Sequence, residues 1–254
     1  MKSPLKDKSL NNPGESLERH IEEFKEKELL EPLMGVAFLV MLTVYEWIRW
    51  YFNLPMQPGL MTLIAAIGII LLIRRIIKIR VKLKSLRQGL EGERSVGQFL
   101  ELLRESGAKV FHDIPGQGFN VDHIVIHQNG IYVIETKTYS KPDKGEAAIL
   151  YDGKSLRISE KLTTSDPLIQ VKAATSWVQQ LLLESTGSKF NLKPVLVFPG
   201  WYIQSSAEAM KSDVWVLNPK ALPAFIENQK PQLAADKVHM LALHLSRYIR
   251  SSKK

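Results

Sequence analysis

Acidic and basic residues lie in the middle of an apolar segment near the centre of the chain. Residues 131–137 read Ile-Tyr-Val-Ile-Glu-Thr-Lys, which predicts a buried central strand. Side chains alternate between the two faces of a strand, so Glu135 and Lys137 share one face. A buried carboxylate costs several kcal/mol unless it is paired or bound to a metal. The two residues could form a structural ion pair, but the apolar flanks favour a functional role.

A second acidic residue, Asp122, lies in the apolar segment just before this strand. If Asn129 and Gly130 form a two-residue hairpin turn, Asp122 lies opposite Lys137 and diagonal to Glu135. A four-residue loop would place Asp122 directly opposite Glu135. Both registers put the two carboxylates on one face, close enough to share a cation, and only an odd slip would separate them.

A third carboxylate, Glu93, precedes both strands. The spacing of Val96, Phe99, Leu100 and Leu103 predicts an amphipathic helix over about 91–105. Glu93 then lies at the end of the buried stripe, in the first turn. It is either a site residue or an acid placed to interact with the helix dipole.

Two carboxylates and a lysine on one sheet face, with a third carboxylate from a helix, suit magnesium-dependent hydrolysis of a phosphodiester. Mg²⁺ prefers oxygen ligands and keeps several waters. The metal lowers the pKa of a bound water and neutralises charge on the phosphate, while an ammonium group orients the water or stabilises the phosphate oxygens. Histidine is not required: His123 and His127 fall on the face opposite Asp122, and His112 has no partner at a convincing spacing.

The surrounding pattern predicts an α/β domain over 89–217 with C-terminal helices packed on it over 218–254. A long helix is expected to open with Asp166 as N-cap and Pro167 at its first position. Further strands are expected at 109–114, 121–127, 149–158 (a strand or hairpin), 195–198 and 214–217, and helices at 219–228 and 233–250.

Charge and hydropathy are unevenly distributed in the 254 residues, although their mean hydropathy is near zero. Residues 74–94 contribute +6 of the net charge of +8, whereas residues 54–73 carry no charge. With no cysteine, the chain cannot be a disulfide scaffold, a cysteine-ligated zinc protein or a thiol enzyme.

The N-terminal third predicts a transmembrane hairpin. A polar, helical segment over 1–31 precedes a hairpin over 32–79, with helices at about 33–52 and 57–77, and a basic linker over 80–88 follows. Trp47, Trp50, Tyr51 and Phe52 form an aromatic belt in which Glu46 and Arg49 can pair. The alternative is a buried or interfacial pair of helices.

The basic residues after the second helix place the rest of the chain in the cytoplasm by the positive-inside rule. Two spans then put both termini and the α/β domain on the cytoplasmic side of the cell (inner) membrane. The cluster is expected to fix topology and to contact anionic lipid headgroups; a second role in holding nucleic acid near the membrane stays open. Its members are Arg74, Arg75, Lys78, Arg80, Lys82, Lys84 and Arg87.

Four segments in order resemble the nuclease-related domain (NERD) family of the PD-(D/E)XK nuclease superfamily. They are Gly89-Leu-Glu-Gly-Glu93, Val121-Asp-His-Ile-Val-Ile126, Gly130-Ile-Tyr-Val-Ile-Glu-Thr-Lys137 and Asp166-Pro-Leu-Ile-Gln170. The resemblance covers roughly 89–200 and implies a restriction-endonuclease-like mixed sheet flanked by helices. Val121 stands where the superfamily pattern has proline, a common departure.

The resemblance implies that Asp122 and Glu135 are metal ligands and that Lys137 is a catalytic base or stabiliser. Glu93 would be an additional ligand or a water-positioning group. Gln170 would help to hold the site, unless it is simply an exposed helix residue. The cofactor would be Mg²⁺ or Mn²⁺ and the substrate DNA in preference to RNA. One rival hypothesis is a catalytically inactive, membrane-tethered nucleic-acid-binding or regulatory module on the same fold. Another is that the hairpin is the functional part.

Overall fold

The computed structural model describes residues 10–54, 58–142, 146–158 and 162–252. The chain divides into two compact units, one formed by Ser16–Gln88 and the other by Met1–Glu15 together with Gly89–Lys254. Most of the polar N-terminal segment predicted over 1–31 belongs to a long helix, and its first nine residues lie outside the described part of the chain.

The first unit consists of two antiparallel helical segments. Helix α1 (Glu15–Tyr51) is continuous through Pro32, and α2 (Pro58–Glu101) begins in this unit and continues into the other. Near the connecting turn, the Trp47 indole N–H donates to the Thr62 hydroxyl (3.0 Å). At the other end, the Arg75 guanidinium donates to a Glu31 carboxylate oxygen at 3.2 Å.

Both helices are long and apolar enough to cross a membrane, as judged by length and composition alone. Only 6% of the most apolar stretch is buried in each of the two segments, Glu15–Tyr51 and Gly59–Arg104. A Cβ at Gly68 would lie 2.8 Å from a Leu39 methyl, so a small residue permits close packing there. The two long apolar helices expected from the sequence are present.

Helix α2 does not end where the sequence suggested. Residues 80–88, expected to be a linker, are helical, and α2 continues to Glu101 before a short 3₁₀ turn at Leu102–Arg104. Glu93 therefore lies deep within a long helix instead of in a first turn, and the helix-dipole explanation for it is wrong. The helix continues because the basic run contains no Gly or Pro before Gly89, and a run of charged residues alone does not end a helix.

The second unit contains two sheets. In chain order, the strands are β1 (Lys109–Pro115), β2 (Asn120–His127), β3 (Gly130–Thr136), β4 (Ala148–Tyr151), β5 (Leu156–Ile158), β6 (Leu162–Thr164), β7 (Leu192–Val197), β8 (Tyr202–Ser205) and β9 (Trp215–Leu217). The main sheet has the order β1-β2-β3-β7-β9, antiparallel from β1 to β3 and parallel from β3 to β9. Strand β3 is central, as predicted. The small sheet has the order β6-β5-β4-β8; β6 and β8 were not expected, since strands of three and four residues carry too little alternation to recognise.

Helices cover the main sheet and complete the mixed α/β fold. Helices α3 (Asp166–Thr186) and α5 (Ala235–Ser252) pack on one face, against side chains such as Ile124 and Val133. The end of α2 and the short helix α4 (Leu222–Glu227) cover the other face, against side chains such as Ile134. The N-cap of α3 is Ser165 and not Asp166, which lies in the first turn.

The β2–β3 turn lies one residue earlier than the Asn129-Gly130 turn considered from the sequence. His127 pairs with Gly130, so Gln128 and Asn129 form the turn. The Asn129 side-chain amide donates to the carbonyl oxygens of Ile226 (3.1 Å) and Glu227 (3.0 Å), a contact with α4 that holds Asn129 in place. The pairing is the one that the four-residue loop would have produced: beyond the last bridged pair, His123 with Ile134, it places Asp122 opposite Glu135.

We predict that Gly92→Ala destabilises the protein. Helix α2 passes so close to the end of β3 that a Cβ at Gly92 would overlap the Thr138 methyl group. Overpacking of this kind costs about 1–3 kcal/mol, a loss of a few degrees in Tm. The Tm of the detergent-solubilised full chain, followed by tryptophan fluorescence, measures the loss. Thr138→Ser removes the offending methyl, so the double variant should recover most of it. A double variant no more stable than Gly92→Ala would contradict this contact.

Candidate active site

The four residues singled out by their chemistry lie around the carboxyl end of the central strand β3. Glu135 is 5% exposed, and its Oε1 accepts a hydrogen bond from the Lys137 Nζ at 2.8 Å. The main-chain N–H of Lys137 donates to the carbonyl oxygen of Val197 (2.9 Å), which extends the β3–β7 pairing by one residue. This bond holds the backbone that carries the lysine, while its side chain stays partly exposed.

Asp122 joins this pair from β2. Its Oδ2 accepts a hydrogen bond of 2.7 Å from the main-chain N–H of Thr136, the residue between Glu135 and Lys137. Burial raises the pKa of Asp122 well above its ordinary value, and the negative charges of Glu135 and Glu93 raise it further. The bond from Thr136 and the charge of Lys137 only partly oppose this rise. Asp122 and Glu135 therefore share one face and interact, as the sequence predicted.

Glu93 reaches the same place from α2. Burial raises its pKa to about 7, helped by the negative charges of Asp113 and Glu135 and opposed by Lys137. The close approach of α2 at Gly92 brings this carboxylate to the strand end. The three predicted carboxylates thus converge on one lysine.

Asp113 is a fourth carboxylate that the sequence analysis did not single out. It is buried in β1, and the pairs on either side of it, His112 with His123 and Ile114 with Val121, place it opposite Asp122. Its backbone is left-handed (φ 50°), and its Oδ1 accepts from the Asn120 side-chain amide at 2.8 Å. The criterion that identified Glu135, an acid within an apolar strand, would also have found Asp113.

The segment that precedes α1 also packs at this place. The Asn11 amide donates to the Asp113 carbonyl oxygen at 2.6 Å, and Leu10 packs against the main core. A Cβ at Gly14 would lie 3.3 Å from a carboxylate oxygen of Glu93. No pattern in the sequence indicated that these residues belong to the α/β unit.

Gln170 is exposed on the second turn of α3, and none of the interactions described for Glu93, Asp122, Glu135 or Lys137 includes it. Burial raises the pKa of Tyr139, which is also sensitive to the charges of Lys137 and Asp166. The first turn of α3 therefore lies near the same end of the sheet. The role of Gln170 stays a prediction.

The donor chemistry of this cluster fits a hard divalent cation. All its acidic groups offer oxygen. Neighbouring carboxylates help to raise the pKa values of Glu93 and Asp122, a repulsion that a cation would remove. Among the residues that the structure describes, no three His, Cys, Asp or Glu side chains already form a metal-binding group. Binding would therefore require the carboxylates to move closer together around the ion.

Fold and site together define an α/β domain with an acidic cluster and a lysine at the end of its central strand. Residues 88–199 match the sequence model of the nuclease-related domain (NERD). No curated protein matches the chain. Among solved structures, SfsA of Pyrococcus furiosus in complex with Ca²⁺ is similar at 15% identity and a TM-score of 0.27; the match covers 50% of this chain and 55% of that one.

We predict that removing the Glu93 charge changes how stability depends on pH in metal-free buffer. Because the folded-state pKa of Glu93 is raised from 4.5 to about 7, the unfolded chain loses its proton first as pH rises. The carboxylate therefore costs stability progressively between these two values and not below pH 4.5. Relative to wild type, Glu93→Gln should be more stable at pH 8 by about 3 kcal/mol and equal to it at pH 4.

Urea unfolding of the detergent-solubilised protein with EDTA, from pH 4 to 8, measures this difference. Glu91→Gln, an exposed position on the same helix, is the matched control and should parallel wild type. A Glu93→Gln curve that also parallels wild type would mean that Glu93 is not buried among like charges.

Proposed function

We propose that the protein is a membrane-anchored, metal-dependent nuclease that hydrolyses phosphodiester bonds of DNA, in preference to RNA, on the cytoplasmic side. The observation that carries this proposal is the convergence of Glu93, Asp122 and Glu135 with Lys137 at the end of β3. Several carboxylates around one lysine destabilise the fold by repulsion. A bound cation together with a phosphate would offset that repulsion, which is why such clusters mark functional sites.

Oxygens of Asp122, Glu135 and Glu93 would hold Mg²⁺ or Mn²⁺. The bound ion would lower the pKa of a water ligand and neutralise charge on the phosphate. Lys137 is partly exposed and hydrogen-bonded to Glu135, so its ammonium can orient the attacking water or donate to the phosphate oxygens. The raised pKa of Glu93 suits a group that takes a proton from that water.

The two apolar helices of the hairpin support the proposal of membrane anchoring. Residues 10–15 pack in the same unit as Gly89–Lys254, and an even number of crossings would leave both segments on one side of a membrane. This supports two crossings. The basic cluster over 74–87 favours the cytoplasmic side of the cell membrane, with its side chains against anionic headgroups.

The rival hypothesis, an inactive nucleic-acid-binding or regulatory module, uses the same residues without turnover. Activity assays distinguish the two. We expect the detergent-purified full chain to degrade plasmid or linear DNA with Mg²⁺ or Mn²⁺, and not with EDTA. Glu135→Gln and Asp122→Asn should each reduce the rate about 100-fold or more, because each removes a charged oxygen from the ion.

Glu91→Gln, purified in the same way, is the control and should retain full activity. Equal degradation by wild type and Glu135→Gln would reveal a contaminating nuclease. DNA binding without cleavage by any preparation would favour the rival module.

We predict the topology from accessibility to a maleimide reagent that does not cross membranes. Because the chain has no cysteine, single substitutions report on single positions. Leu54→Cys, in the turn between the helices, should react in intact cells or spheroplasts. Ser176→Cys, exposed on α3, should react only after the membrane is opened. Equal labelling of the two variants in intact cells would contradict the two-crossing topology.

A further inference from the structure

A chain of polar side chains lies behind the candidate active site, on the opposite face of the main sheet. The Glu101 Oε1 is 3.2 Å from the His112 Nε2, and the two histidines meet through their Nδ1 atoms at 2.9 Å. The His123 Nε2 is 3.4 Å from the Thr136 hydroxyl. Both imidazole rings and Thr136 are buried, whereas the Glu101 side chain is 52% exposed. These hydrogen-bonded side chains therefore connect the surface to Thr136, the residue between Glu135 and Lys137.

The chemistry of these groups determines which atom donates in each hydrogen bond when both rings are neutral. An ionised carboxylate only accepts, so the His112 Nε2 carries a proton and donates to Glu101. In a neutral imidazole the His112 Nδ1 is then an acceptor, and the facing His123 Nδ1 must be the donor. The His123 Nε2 is left as an acceptor for the Thr136 hydroxyl. With both rings neutral, every bond is satisfied only if the two rings are opposite tautomers.

Local electrostatics are consistent with neutral rings. Burial lowers the pKa of His112 and, more strongly, that of His123, and the proximity of His112 lowers the pKa of His123 further. Burial acts to raise the pKa of Glu101, but hydrogen bonds from Arg104 and His112 outweigh it and hold that pKa below its ordinary value.

The histidine pair does not have the geometry of a metal site. Two nitrogen ligands on a tetrahedral zinc ion lie about 3.3 Å apart, farther than the 2.9 Å between these Nδ1 atoms. The facing atoms are engaged with each other, and the outer Nε2 atoms contact Glu101 and Thr136.

Thr136 is where this chain meets the candidate active site. Its main-chain N–H donates to the Asp122 carboxylate, and its hydroxyl contacts His123. A shift of Thr136 would therefore move Glu135, Lys137 and the Asp122 contact together. Strand pairing holds Thr136 on the β7 side, where it lies opposite Val197. On the β2 side the bridged pairs end at Ile134, so there Thr136 is held by its bonds to Asp122 and His123.

We propose that Glu101, His112 and His123 are positioning residues that, through oppositely oriented tautomers, hold Thr136 and so align the carboxylates and Lys137 for the ion. This inference rests on the proposed function, since it concerns the same site. Groups that orient metal ligands typically contribute about 10–100-fold to metal affinity or rate.

The tautomers are tested directly, without any activity. Long-range ¹H–¹⁵N correlation spectra of the labelled full chain at pH 7, assigned with His112→Gln and His123→Gln, should show His112 protonated on Nε2 and His123 on Nδ1. Identical tautomers in the two rings, or a doubly protonated ring, would overturn the relay.

The positioning effect is tested by Thr136→Val, which keeps the shape but removes the hydroxyl. We expect about 10–100-fold weaker Mn²⁺ binding by titration calorimetry and an equal loss in kcat with little change in KM for DNA. Thr136→Ser should restore both, and Thr163→Val, at an exposed threonine, should leave both unchanged. Wild-type Mn²⁺ affinity in Thr136→Val, or equal losses in the Val and Ser variants, would overturn the proposal.

Glu101 provides a second variant that is safe for folding, since its side chain is half exposed. Glu101→Ala should weaken Mn²⁺ binding in the same direction, and Glu101→Gln, whose amide oxygen still accepts from His112, should do so less. Unchanged Mn²⁺ affinity in Glu101→Ala would show that Glu101 has no positioning role. If wild type binds Mn²⁺ but never cleaves DNA, the proposed function fails while the affinity and tautomer measurements still decide the positioning role.

Discussion

Repulsion among carboxylates at the end of β3 is the constraint on which the rest of the candidate site depends. Glu93, Asp122 and Glu135 come from a helix and two strands, and each raises the pKa of another or has its own raised. One lysine and one main-chain N–H oppose this repulsion. Such a cluster forms only because the apolar side chains of the sheet and its helices supply enough stability elsewhere. It is the kind of local conflict expected where a protein binds a ligand.

The strand β3 separates two polar systems that differ in chemistry. At the end of the strand, acids from β2, β3 and α2 meet Lys137 and leave an excess of negative charge. In the other system, His112 and His123 form a neutral, fully hydrogen-bonded pair that ends at the partly exposed Glu101. Thr136 belongs to both systems, through its N–H and its hydroxyl. A buried polar chain in which every member is satisfied tends to rigidify its surroundings, and here those surroundings carry the Glu-Thr-Lys motif.

Helix α2 connects the apolar hairpin with this site in a single element. Residues 58–73 of this helix are uncharged and apolar. The basic cluster over 74–87 comes next, and Glu93 follows within the same uninterrupted helix. The excess positive charge of the chain therefore lies on the element that leaves the apolar region and not around the carboxylates. The high pI therefore reflects the charge of that helix and is no evidence that the protein binds DNA.

The sequence by itself determined the strongly patterned parts: two long apolar helices, a central strand β3, and the placement of Asp122, Glu135 and Lys137 on one face. These follow from local periodicity, which survives any tertiary arrangement that buries the apolar face. Tertiary structure decided the features that depend on distant contacts. Asn129, in the β2–β3 turn, binds carbonyls of α4. Asp113 and residues 10–14 join the cluster from elsewhere in the chain, and His112 contacts His123 only because β1 pairs with β2. No local sequence pattern predicts such contacts, because they join segments that are distant in the sequence and come together only on folding.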